Sequence, residues 1–391
     1  MARFATVFAR SLTAAMLSYH LFVVTNSYAA LGLLGLIEFL PVIPVSLFAG
    51  AVADRMDRRW LLVGAATAGT AGCATLTWIA WQHPESMVGL LGVAFFLAMV
   101  VGVSRPAGSA LLPNLVPQRI FQNAAVLESC VLQMGLIAGP VAMGFMVAGW
   151  GLAAPYAAAT ACYLLAVFGW LLLRSPEVSG ERSEVSWSAV REGIGFVWRN
   201  QPILGSMTLD MFAVIFAGAT ALLPVYAEEI LQVGPEGYGV LRAAMAFGAF
   251  SMALFLMTAK PFSRPGAVLL GAVFLFGIAT IVFGLSRSLP LSVAAFIVAG
   301  MADQVSVTAR TVILQLSTPD ALRGRVNAVN FIFIGASNEL GDAESGFLAS
   351  LTSATFSVVG GGMACLGVWG VVWWGLPELR QWQPQPPRPE V

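Results

Sequence analysis

Asp303 and Arg310 stand seven residues apart in a largely apolar stretch, so a helix there carries both on one face, two turns apart. An acid held at that depth can take up and release a proton, and a base on the same face can hold its charged form. Glu339, Asp342 and Glu344 form a second group, with Glu339 and Asp342 one turn apart. Arg10, Glu38, Arg105, Glu128, Asp210 and Arg242 also interrupt apolar runs, and Arg10 and Glu128 are expected to pair at similar depth. Two readings fit these residues: proton carriage coupled to the movement of a solute, or a static polar network that satisfies itself. His20, late in the first apolar run, is expected to serve as an interfacial or cavity hydrogen-bonder.

Other chemistries lack their residues. The chain has no G-x-x-x-x-G-K-[ST] phosphate loop and no Ser/His/Asp arrangement, and two histidines are too few for most metal sites. Cys73, Cys130, Cys162 and Cys365 show no C-x-x-C spacing and read as small packing residues. Neither catalysis, nor a metal, nor a cofactor is expected, with a proton gradient as the energy source. A formal net charge of zero offers no basic footprint for nucleic acid.

The elements that position these residues follow from composition. The chain is 58% hydrophobic and 10% charged, against about 25% charged in a soluble domain. Apolar runs long enough to cross a bilayer as helices recur throughout, and nothing alternates as barrel strands do. The reading is an all-α polytopic membrane protein with twelve spans: 4–25, 29–53, 60–82, 87–112, 123–148, 152–173, 202–226, 238–259, 266–285, 289–316, 326–350 and 355–376. The first is expected to be a retained span rather than a removed signal peptide. Loops on one side hold nearly all the connecting cations, including Arg55, Arg119, Lys260, Arg264 and Arg323, and those opposite hold only Arg287. That bias directs both termini to the cytoplasm.

Two halves are expected, 1–173 and 202–376, joined by a linker, 174–201, and followed by a tail, 377–391. Within the linker, Trp187, Val190, Ile194, Val197 and Trp198 recur at helical spacing, which predicts an amphipathic helix on the membrane surface. Arg59 and Arg264 are 205 residues apart, as are Arg105 and Arg310, and Asn123 and Asn327 differ by 204, so the halves read as parallel repeats. The third, sixth, ninth and twelfth spans contain no Asp, Glu, Lys or Arg. Four peripheral helices and eight that build a polar interior follow from that pattern.

Two motifs carry a resemblance. "GAVADRMDRRW" supplies Gly50, Asp54, Arg55, Arg58 and Arg59 in a G-x-x-x-D-R-x-x-R-R pattern, and "GLIAGPVAMG" supplies Gly135, Gly139, Pro140 and Gly144. With "LGLLGLIEFLPV" and "TPDALRGRVNAVNFIFIGASNELGDAESG", they make the chain resemble the major facilitator superfamily, in the branch of enterobactin exporters and macrolide efflux proteins. The resemblance implies two six-helix bundles that alternate access to a midplane site lined by spans 1, 4, 7 and 10.

It also implies a cytoplasmic gate, to which Gly50, Asp54, Arg55, Arg58, Arg59, Arg105, Arg310 and Arg325 are assigned. There Asp54 would accept hydrogen bonds from the amides that start the eleventh span. Asp57 departs from the family's usual glycine, and the second copy, "TAKPFSRPG", keeps only Lys260 and Arg264 of the charges. The glycine-proline motif implies an exporter, with Ala243, Ala244 and Gly248 of the eighth span as candidate packing partners. Asp303, Glu339, Asp342, Glu128, Arg10, Glu38 and Asp210 are the proton-coupling or cavity candidates. The expected function is proton-coupled export of small amphipathic molecules across the inner membrane by a monomer embedded in the lipid bilayer. A uniporter or importer, a transport-dead receptor or scaffold, and a channel remain the alternatives.

Overall fold

The computed structural model describes residues 1–53, 57–115, 121–173, 187–319 and 322–383. Helices occupy all twelve expected stretches, and no strand occurs among the described residues. Ten helices are long and apolar enough to cross a membrane. Of the other two, α2 (Tyr28–Ala53) contributes a shorter apolar stretch, Tyr28–Pro41, and α13 (Arg323–Leu351) is charged along its length by Arg323, Arg325, Glu339, Asp342 and Glu344.

The helix ends follow local chemistry. Asp57 caps α3 (Arg58–Gln82), its Oδ1 accepting from the Arg59 amide at 2.9 Å. Asn200 caps α8 (Gln201–Ala217) through the Ile203 amide, and Ser353 caps α14 (Ala354–Gly375) through that of Phe356. Asn26, left-handed at φ 48°, closes α1 (Ala2–Thr25) with its amide on the Phe22 carbonyl.

The chain divides into two compact units: Met1–Val185 with Thr220–Ala246, and Ser186–Ala219 with Phe247–Val391. By this grouping Thr220–Ala246 packs with the first unit, and the boundary between the units falls at Val185–Ser186, inside the expected linker. In that unit α1 lies against α5 (Phe121–Trp150) and α6 (Ala153–Leu172), and α3 lies against α6 and α4 (Met87–Leu115). Leu62, Val63 and Ala66 of α3 bury themselves with Ala166 and Trp170 of α6. In the second unit α8 lies against α13 and α14, and α11 (Pro265–Leu285) lies against α14 and α12 (Leu289–Ser317). α1 with α5 and α6, and α3 with α4 and α6, thus have counterparts in α8 with α13 and α14, and α11 with α12 and α14.

The linker helix is α7 (Trp187–Arg199). Its expected apolar stripe divides: Val197 is buried with Ile203, Met207, Leu314, Val326 and Val329, whereas Ile194 and Trp198 are exposed. The helix therefore docks on its own unit by one edge and keeps two large apolar side chains outside.

Candidate functional site

The seventh span is not one helix. After Ala217 the chain passes through a 3-10 turn (Ala219–Leu222), the single turn α9 (Leu223–Val225) and a π turn (Tyr226–Ile230) before α10 (Gly234–Thr258). Gly218 tolerates the change of path and Pro224 contributes no amide, so the ladder of the expected span 202–226 breaks between them. The break has two consequences, one in each unit.

In the second unit it leaves α8 short, with Asp210 in its middle. Arg310 on α12 meets Asp210 there, Nη1 to Oδ2 at 2.6 Å, both side chains buried. The Ser306 hydroxyl donates to Asp210 Oδ1 at 3.1 Å. Ser306 and Arg310 are one turn apart, so a single face of α12 supplies both partners of the carboxylate. Asp303, one turn before Ser306, lies within electrostatic reach of Asp210 and Arg310. The Arg310 Nε–H is buried and has no hydrogen-bond partner among the described residues. A buried donor left so costs about 1–3 kcal/mol. Around the pair, Phe212 and Phe216 stack at 5.9 Å, and the Ser345 hydroxyl donates to the Gly218 carbonyl at 3.0 Å where α8 ends.

In the first unit the break presents two acids on the π turn, the kind of irregular turn enriched at functional sites. The Tyr19 hydroxyl donates to Glu228 Oε1, and that of Tyr28 to Glu229 Oε2, each at 2.5 Å. Tyr19 stacks on Tyr238 at 5.4 Å, and the Tyr238 hydroxyl donates to the Ala15 carbonyl while accepting from Arg242 Nη1. The glycine-proline motif supports this cluster from behind. Gly135 and Gly139 let α5 approach Val7, Phe8, Ser11 and Leu12 of α1, where a Cβ on Gly139 would stand 2.8 Å from the Leu12 amide nitrogen. Gly144 meets Pro235 and Glu236, and Gly239 meets the Pro140 carbonyl. Of the partners named from sequence, Gly248 is corrected: it packs against Ile297 of α12, whereas Gly135 and Gly139 seat on α1 and α10 meets the motif through Gly239.

The remaining candidates scatter. Asp54 and Arg55 lie outside the described residues; Gly50 falls within α2, Arg58 opens α3, and Arg105 falls within α4, and nothing further is described for those two arginine side chains. Arg59 donates from Nε to the Trp170 carbonyl at 3.1 Å and from Nη2 to that of Leu171. Arg310, grouped with the gate by its repeat position, is buried with Asp210, and Arg325 pairs with Glu192 of α7. Glu128 forms an ion pair with Arg3, at 3.2 Å, a partner the sequence reading did not name. Arg10, Glu38, Glu339 and Asp342 are each engaged by a neighbouring group. His20 is buried, with Nδ1 3.3 Å from the Tyr156 hydroxyl. No cluster that could hold a metal ion occurs among the described residues.

Sequence reading missed Tyr19, Tyr28, Glu228, Glu229 and Tyr238. One signal was available: "LPVYAEE" sets two acids a turn after a proline at the end of an apolar run, where a helix is prone to break.

Span-length helices paired alike in two units, with charge buried among them, define a polytopic membrane protein with a polar interior. The chain belongs to the transmembrane secretion effector family of the major facilitator superfamily, whose model matches residues 5–386. That family consists of transporters rather than enzymes. The chain is 24% identical over 339 residues to the enterobactin exporter EntS of Shigella boydii serotype 18, covering 87% of this chain and 81% of the relative. It is 23% identical over the same length to an enterobactin exporter EntS of Escherichia coli. Among solved structures it is similar to a POT family transporter in complex with a thioalcohol-conjugated peptide, with TM-score 0.77, 13% identity and coverage of 97% and 95%. A bacterial homologue of the human lysosomal transporter Spinster gives TM-score 0.70, 15% identity and coverage of 97% and 98%. These structural likenesses establish the fold.

Proposed function

We propose that the protein is a secondary active exporter of the cytoplasmic membrane, moving small amphipathic molecules outward in exchange for protons, with both termini on the cytoplasmic side. The observation that carries this reading is the buried Asp210–Arg310 pair with its unpartnered Arg310 Nε–H. An arginine that spends one donor on a carboxylate and keeps another in reserve can exchange partners. Protonation of Asp210 or Asp303 releases Arg310 toward an acceptor oxygen on the solute, and departure of the solute returns the guanidinium to the acids. The relatives' name supports a siderophore-like solute, whose oxygen-rich groups suit a guanidinium, and a drug-like amphipath is the wider class. Asp303, with Glu339 and Asp342, supplies further carboxyls for the proton path.

The test is flux in inside-out vesicles or proteoliposomes holding the full chain. Accumulation of a catechol siderophore or an amphipathic dye should saturate, and should collapse when the proton gradient is dissipated. Asp210→Asn and Asp303→Asn should each abolish coupled accumulation. Flux that ignores the gradient would overturn antiport in favour of a uniporter. Unitary currents would indicate a channel, and full activity of both variants would remove the acids from the mechanism.

A further inference from the structure

Arg264 stands at the repeat position of Arg59, yet the two arginines have different surroundings. Arg59 lies across the last turn of α6 and donates to the carbonyls of Trp170 and Leu171. The helix packed in that place in the second unit is α14. Backbone closes both helices: at the end of α6 the Leu173 amide donates to the Trp170 carbonyl at 3.3 Å. The Leu376 amide donates to the Val372 carbonyl at 3.0 Å. The chain then turns into α15 (Pro377–Gln381), where the Leu379 amide donates to the Leu376 carbonyl at 3.1 Å. Leu379 is buried, and Gly266 at the start of α11 lets the Leu379 carbonyl approach closely, so α15 is held against α11. What differs is α15, which packs against both α11 and α14, and Arg264 makes no such carbonyl bond among the described residues.

It lines a cavity of about 700 Å³ with Ala267, Trp373, Arg380, Gln381 and Gln383. Arg380 lies over the Trp373 ring, 5.1 Å from its centroid, which fixes the guanidinium without neutralising it. Neither arginine forms an ion pair among the described residues. Two cations with no ion-pair partner among the described residues thus share one opening, an arrangement that repels itself unless an anion lies between them. Depth points to the anion's source. The span of α11 begins at Pro265 and that of α14 ends at Gly375, so the cavity sits where two spans leave the hydrocarbon. Exposed Trp374 beside it is the side chain expected at the level of lipid headgroups.

We propose that Arg264 and Arg380 clasp the phosphate of an anionic phospholipid headgroup, with Gln381 and Gln383 bonding its polar substituent. The guanidinium fork matches phosphate oxygens in pairs, and basic pockets between span ends are suited to such headgroups. Part of the loop that reads from sequence as an eroded copy of "GAVADRMDRRW" is therefore a lipid site.

Native mass spectrometry of the purified full chain, offered phosphatidylglycerol and phosphatidylcholine in equal amounts, tests this. The protein should retain the anionic lipid at least about fivefold more than the zwitterionic one. Arg264→Gln/Arg380→Gln should bring the two to parity, with helical content and elution volume unchanged. If that pair aggregates, Arg264→Gln alone, at an exposed side chain, should lower the preference. Equal retention by the unmodified protein, or an unchanged preference in the variants, overturns the proposal. Inorganic phosphate at millimolar concentration should leave the lipid bound; displacement by phosphate alone would reassign the cavity to the free ion and overturn the lipid as occupant.

Discussion

Tyr19 and Tyr28 in the first unit each donate a hydroxyl hydrogen bond to a carboxylate, whereas the second unit sets Arg310 directly against Asp210. All six tyrosines of the chain fall in the first unit. A tyrosine-to-carboxylate bond can be lost singly, because the hydroxyl is neutral and the partly exposed acid keeps access to water. The Asp210–Arg310 pair has no such gradation: removal of either partner leaves a full charge buried without its counterion. The Arg3–Glu128 ion pair of the first unit is partly exposed, whereas the buried Asp210–Arg310 pair belongs to the second unit. The proposed proton coupling predicts that this buried pair, and not the tyrosine bonds, is sensitive to loss of one partner.

The largest expected effect tests that contrast directly. Arg310→Leu should destabilise the protein by about 3–5 kcal/mol, read as a fall in thermal midpoint in detergent, because Asp210 is left alone. Asp210→Leu/Arg310→Met, which removes both charges, should restore most of the stability and none of the coupled flux. A double variant as unstable as the single one would mean that the pair is structural packing rather than a charge switch.

Next in size is the seat on which the first unit's cluster rests. Gly139→Leu must push α5 away from the Leu12 backbone, at a cost of about 1–3 kcal/mol. The same substitution at Gly149, where an added Cβ meets nothing within 4 Å, should cost almost nothing. Smaller again is Tyr19→Phe, which removes one hydroxyl from Glu228. Interhelical side-chain bonds of this type in membranes average about 0.6 kcal/mol, so Tyr19→Phe should cost roughly a fifth or less of Arg310→Leu. A cycle with Glu228→Gln should return a coupling energy of the same small size. Equal losses for Tyr19→Phe and Arg310→Leu would erase the distinction between the units.

The parts of this arrangement that sequence revealed are those governed by local or periodic rules. Apolar run length located the helices. Partner choice was not legible, because it depends on how far one helix slides along another. Arg3 and Arg10 are seven residues apart and share a face of α1, so periodicity cannot say which meets Glu128; the offset between α1 and α5 brings Arg3 to it. Gly239 and Gly248, nine residues apart, point to opposite sides of α10, and only the packed structure reveals that Gly239 faces the motif. The Asp210–Arg310 contact joins positions a hundred residues apart; sequence set Arg310 with Asp303 on one helix face and left Asp210 as a single charge in its apolar run.

The smallest effect separates the two copies of one loop. By sequence, Arg59 and Arg264 are both expected in loops on the side rich in positive charge, a bias that lysine satisfies equally well. Arg59 additionally forks across two carbonyls at the end of α6, which a lysine's point charge cannot reproduce. Arg59→Lys should therefore lower stability by about 0.3–0.5 kcal/mol, at the level of a helix C-terminal cation contact. Arg264→Lys, at a helix pair whose end is closed by α15, should leave the thermal midpoint unchanged. Replicated melts of both variants in one detergent decide it: a shift for neither would return Arg59 to topology alone, and a shift for both would mean that α15 does not replace the arginine cap.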